Sequence, residues 1–146
     1  MTALKNLKSK VSLSLIFLLK PRKRLKGGML MSKGFSYHYS GTKGHIVSVA
    51  SSLPSNPNTL LSNGWIETTH PKQASNSSSR VFTEESTGLR IRFDKGDGNK
   101  NGYSGIDHYH IDNPQATGKK DRYIDKDGNV VPKNSSKSHI LPNGGN

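Results

Sequence analysis

Residues 88–94 read Gly-Leu-Arg-Ile-Arg-Phe-Asp, and this short run decides the fold. Leu89, Ile91 and Phe93 alternate with Arg90, Arg92 and Asp94, the period-two pattern of a strand with one apolar face and one polar face. Val81-Phe82 upstream, with Glu84 to Thr87 between, predicts a hairpin. Downstream, Lys95 to Gly105 is rich in Gly and Asn and reads as loop, and Ile106 to Ile111 reads as the next strand. Tyr123-Ile124 and Val130-Val131 flank Asp125-Lys126-Asp127-Gly128-Asn129, a turn with Gly placed for positive φ.

Moving toward the N-terminus, the period changes. Ile46, Val49, Ala50 and Leu53 fall on one face of a short helix that ends before Pro54. Asn56-Pro57, then Thr59, Leu60, Leu61 and Gly64, spell a second short helix with an Asn cap and Pro in its first turn. Trp65 and Ile66 are expected to anchor these helices on the sheet, and Lys72 to Ser79 reads as a polar loop. The expected fold class is α+β, with one or two short N-terminal helices packed on a small antiparallel β-sheet.

Composition agrees with a small core. The chain has 146 residues, 30% of them apolar, and a mean hydropathy of −0.71, which fits one domain. Without cysteine, disulfide scaffolds, thiolate zinc sites and thiol nucleophiles are excluded. The net charge is +12, and its placement matters more than its size. Residues 1–66 hold 10 Lys and Arg and no acid, so the remaining 12 basic groups face all 10 acids and leave +2.

Lys5, Lys8 and Lys10 precede the apolar run Val11 to Leu19, which is followed by Lys20-Pro21-Arg22-Lys23-Arg24. That run is too short to span a bilayer. Its helical spacing would suit an amphipathic helix on an anionic surface, but the favoured expectation is a poorly ordered basic leader, with Met29 or Met31 as alternative starts. The expected domains are a leader and linker at 1–42, a folded domain at 43–142 and a tail at 143–146.

The chemistry concentrates in Gly105-Ile106-Asp107-His108-Tyr109-His110-Ile111-Asp112. On a strand His108 and His110 share a face, while Asp107 and Tyr109 take the other, Tyr109 toward the core. Two imidazoles titrating near neutrality suit general acid–base work or a metal pair. Arg90 and Arg92 share a strand face, and Lys95 follows at the mouth of the loop. A cationic strand face near two imidazoles suits phosphoryl transfer; a bland alternative pairs the arginines with Glu84, Glu85 or Asp112. His139 is a candidate third catalytic group. Asp125 to Asn129 lacks the spacing of a calcium loop, and residues 96–102 lack the phosphate-loop pattern.

Leu89 to Gly96, Gly105 to Pro114, Gly118 to Asn129 and Lys137-Ser138-His139-Ile140 resemble, in that order, the C-terminal toxin modules of bacterial polymorphic toxins. Lys43 to Ile46 and Leu53-Pro54 resemble their opening region, so the likeness covers about residues 43–142. It implies a metal-independent ribonuclease of the barnase–EndoU–colicin–RelE type, carried by a detached toxin tip or orphan cassette. Ile111-Asp112 and Ser77 to Arg80 depart from the expected pattern.

The resemblance implies that His108, His110 and His139 divide the acid and base roles. Arg92 and Lys95 would stabilise the phosphorane-like state, and Arg90, Lys119 and Lys120 would bind substrate. It implies no metal and no cofactor. The substrate would be RNA, with transfer RNA one candidate. The protein would be a monomer without a membrane span, inhibited by an acidic immunity protein. It would be exported and act in the target-cell cytoplasm, or stay cytoplasmic as an orphan. Two alternatives stand beside this reading. One is a nuclease whose metal is held by His108, His110 and Asp112 or His139; the other is a non-enzymatic binder of nucleic acid or membrane surfaces.

Overall fold

The computed structural model describes residues 39–143. Of the leader and linker expected at 1–42, residues 1–38 with the amphipathic run lie outside the described residues. Thr42 caps helix α1 (Lys43–Ser51), its hydroxyl accepting from the His45 N–H at 3.1 Å. Ile46, Val49 and Ala50 are buried along one side, and Leu53 beyond the helix is buried too, as the spacing predicts. The second helical segment, Pro57–Ser62, is a 3-10 helix capped by Asn56. Tyr39, placed in the linker by sequence, packs against the core, and the Ser40 N–H donates to the Thr87 carbonyl at 2.8 Å.

Strands β1 (Trp65–Glu67), β2 (Arg80–Glu84), β3 (Arg90–Asp94), β4 (His108–Asp112), β5 (Tyr123–Ile124) and β6 (Val130–Val131) form one antiparallel sheet in chain order. The α+β class is therefore as expected. Trp65 anchors the helical layer as expected, buried in the core with Leu60 and Ile46, and with Ile66 it forms the edge strand β1. Two details differ. The expected loop Lys72–Ser79 begins as helix α2 (Pro71–Asn76), because the His70 ring accepts from the Lys72 N–H and Pro71 suits the first turn. Ile106 precedes β4 and is 45% exposed, since the strand starts only where pairing with Asp94 begins.

Register separates the two faces. Phe82, Ile91, Ile111 and Ile124 line up across four strands, and Phe93 stands beside Tyr109 with ring centroids 5.1 Å apart. Together with Ile46, Val49, Leu53, Leu60 and Trp65 they make the core. Each such side chain contributes roughly 1.5–3 kcal/mol on burial. Tyr109 is fully buried, and its hydroxyl donates to the Pro54 carbonyl at 2.7 Å, tying β4 to the helical layer. The opposite face carries Arg92 beside His110 and Asp94 beside His108.

The turn between β5 and β6 is the expected hairpin. The Asp125 carboxylate accepts the N–H groups of Asp127 and Asn129, and Gly128 sits at φ +84°. A Cβ there would also meet the Lys43 side chain of α1 at 2.8 Å. Among the described residues no helix is long and apolar enough to cross a membrane.

Candidate active site

β4 presents His108 and His110 on one face, as alternation requires, with ring centroids 5.1 Å apart. A third imidazole arrives from elsewhere in the chain. The 3-10 turn Ser136–Ser138 leads into His139, and Ile140 bridges back to Tyr109, which hangs His139 over β4. Its ring lies 4.8 Å from that of His108 and 4.6 Å from that of His110. Tyr103 stacks on its face at 4.1 Å, nearly parallel. The expectation that His139 joins the pair thus has a geometric basis.

Beneath the rings lies Asp94, a residue that strand reading placed only on the polar face. Its carboxylate receives two-pronged hydrogen bonds from Arg92 at 2.7–3.0 Å and one from the Ser79 hydroxyl at 2.6 Å. It lies 3.6 Å from His108 Nε2 and 3.4 Å from His110 Nε2, long for hydrogen bonds but close for charge attraction. Burial alone would raise its pKa; the two histidines, Arg92 and Ser79 instead hold it far below the usual carboxylate range.

The three imidazoles differ in proton affinity. Burial pulls His108 down, but Asp94 and the Ile106 carbonyl, 2.9 Å from Nδ1, outweigh it, so its pKa stands above the ordinary value. Burial dominates at His110 and lowers it, with Arg92 adding to the fall against the pull of Asp94. His139 is lowered by burial and by the neighbouring His110. His108 and His110 are 6% and 3% exposed, and His110 Nδ1 is buried without a partner. His139 is the more accessible of the three.

An open cleft of about 520 Å³ exposes this cluster. Arg92, Lys95, Lys100 and Lys133 line it along with the three histidines, Asp94 and Asp97. Arg92 and Lys95 therefore reach the cleft as expected, although each also has a carboxylate partner: Asp94 for Arg92 and, at 3.3 Å, Asp107 for Lys95. Asp107 faces away from the imidazoles and accepts the Gly96 N–H at 2.8 Å. Lys119 lines an adjoining cleft.

Two expected binders fall elsewhere. Arg90 pairs with Asp112 at 3.2 Å and lines neither cleft, its partner lying two residues beyond His110 on β4. Lys120 is exposed and lines neither. Sequence reading missed Tyr103, Tyr123 and Lys133. Tyr123, opposite Asp112 in the sheet, accepts from Arg92 at 3.0 Å and lies against His110 at 4.6 Å. The aromatic at the head of β5 was the available signal; Lys133 left none.

Three ring nitrogens, one from each histidine, lie within 4.8 Å of one another, so among the described residues His108, His110 and His139 form a group that could hold a metal. Asp112, the other proposed ligand, is spent on Arg90. Comparison of the chain with protein-family models, with curated proteins and with solved structures gives no match.

Proposed function

We propose that this protein is an endoribonuclease that cleaves RNA without a metal, using the 2′-hydroxyl as nucleophile. The observation that carries this reading is the convergence of three imidazoles with divided proton affinities in a cleft lined by Arg92, Lys95, Lys100 and Lys133. Titratable groups pushed apart by their surroundings are suited to opposite halves of acid–base catalysis.

His139, accessible and inclined to be neutral, takes the 2′-hydroxyl proton. Oxygen attacks phosphorus, the cationic side chains stabilise charge on the nonbridging oxygens, and His108 delivers its proton to the departing 5′-oxygen. The bond to the 5′-oxygen breaks and a 2′,3′-cyclic phosphate remains. His110, buried against both rings, positions the pair and shapes the local field. Asp94 holds Arg92 and favours the protonated form of His108.

The order of motifs supports a bacterial toxin tip as the setting, exported to act in the target-cell cytoplasm. An acidic immunity protein over the cationic cleft is the complementary partner. The second reading, a nuclease using a metal at His108, His110 and His139, draws on the 4.8 Å grouping of their nitrogens.

One experiment separates the two. Matched RNA and all-2′-deoxy strands are incubated with the protein in excess EDTA, and products are weighed by mass spectrometry. The ribonuclease reading expects RNA cut to cyclic-phosphate ends and DNA left intact. Cleavage of the deoxy strand, or activity that EDTA removes and zinc restores, overturns it.

A further inference from the structure

Resting on the ribonuclease reading, we infer that a second cleft beside the imidazoles holds the phosphate next to the scissile one, so that the substrate is a single RNA strand of three or more nucleotides. This cleft, about 430 Å³, is lined by Arg92, Lys119, Arg122, Tyr123 and Lys133 together with the small residues of the 116–118 loop. Arg92, Tyr123 and Lys133 also line the imidazole cleft, so the two clefts adjoin at these side chains. A strand seated in one places its next phosphate beside the other.

The charge of the second cleft is one-sided. Asp94 and Asp97 line the first, whereas no acidic side chain lines the second. Lys119, Arg122 and Lys133 make no ion pair among the described residues. The nearest carboxylate in sequence, Asp121, is engaged by its own loop. It accepts from the N–H groups of Thr117 and Gly118 and from the Thr117 hydroxyl, all at 2.8–3.0 Å. Its loop is tied down further, since the Asn113 side chain donates to the Asp121 carbonyl and the Lys133 N–H donates to the Lys119 carbonyl, both at 2.7 Å.

That wiring fixes the backbone beneath Lys119 and Lys133 and leaves their ammonium groups free. Tyr123 adds a floor between two guanidinium groups, with Arg92 and Arg122 centred 5.7 and 5.8 Å from its ring. Unpaired cations held together by the fold repel one another, and a bridging phosphate relieves that repulsion. Phosphate contacts of this kind position a strand without reading its sequence.

The test uses 2′-O-methyl strands, which bind but cannot be cut, so that affinity is measured apart from catalysis. A dinucleotide carries one phosphate and a trinucleotide two; both are followed by fluorescence anisotropy across a salt series. The wild-type protein should bind the trinucleotide roughly tenfold more tightly, with a log–log salt slope steeper by about 0.7 for the added phosphate. Lys119→Gln/Arg122→Gln should shrink that advantage below about threefold, as should a neutral methylphosphonate at the second position.

Arg122→Lys, which keeps the charge, should recover part of the advantage; thermal melting of each variant checks the fold. Equal affinity of wild type for the two strands, or an undiminished advantage in a folded double variant, overturns the subsite. A wild-type protein that prefers the trinucleotide yet never cuts its 2′-hydroxyl counterpart overturns the ribonuclease reading instead.

Discussion

Asp94→Asn removes the one charge on which Arg92, Ser79, His108 and His110 converge. Asn keeps the shape but not the anion that three Arg92 hydrogen bonds and the Ser79 hydroxyl converge on. Breaking a buried ion pair costs about 3–5 kcal/mol, and the side chains here are 19% and 29% exposed, so a loss of about 2–3 kcal/mol is expected. For a domain of this size that lowers the melting temperature by roughly 10–20 °C.

The pH dependence has two limbs of opposite sign. Asp94 is depressed in the folded state, so its stabilisation is present above the unfolded carboxyl pKa and lost as pH falls below about 4. His108 is raised, so its stabilisation is full below about pH 6.5 and lost as pH rises through its folded value. The gap between wild type and Asp94→Asn should therefore be widest near pH 5–6. Urea unfolding at pH 3, 5.5 and 8.5 measures it, and an NMR titration follows the ring protons. Without Asp94, burial and Arg92 should leave His108 below the ordinary imidazole value. A variant within about 0.5 kcal/mol of wild type at pH 5.5, or an unmoved His108, would refute the coupling.

Further outcomes follow from the same geometry. The rate–pH profile on RNA should be a broadened bell, its acid limb below the ordinary histidine value because His139 is lowered and its basic limb above it because His108 is raised; steady-state kinetics from pH 4.5 to 9 measure both. His139→Ala should cut the rate by about 10²–10⁴-fold with little change in melting, since this ring stands at the cleft rather than in the core; cleavage assays beside calorimetry check the pair. Tyr109→Phe should cost about 1–3 kcal/mol by orphaning the Pro54 carbonyl, as read by denaturant unfolding. Gly96→Ala should be worse tolerated than most surface exchanges, because its Cβ would run into the Ile106 backbone; the yield and melting temperature of the variant report it.

Much of this architecture was legible because alternation is a local property. Leu89, Ile91 and Phe93 cannot all be buried unless the segment is a strand, and Ile46, Val49 and Ala50 share a side only on a helix. The same rule put His108 with His110 and sent Tyr109 inward. It could not separate Arg90 from Arg92: both share a strand face, and the folded sheet pairs Arg90 across to Asp112 on β4 while Arg92 bonds Asp94 two residues along its own strand. The helix at Pro71–Asn76 escaped notice because it has no buried residue and so no apolar period to read.

By itself, then, the chain determined its strand periodicity, its turns and the pairing of two imidazoles, all consequences of neighbours a few positions apart. Only the folded protein brought His139 across to β4, set Asp94 beneath the rings and joined Lys133 to Lys119 at the second cleft. Those contacts join segments distant in sequence, and their energies depend on burial and charge that exist only once the sheet has closed on its core.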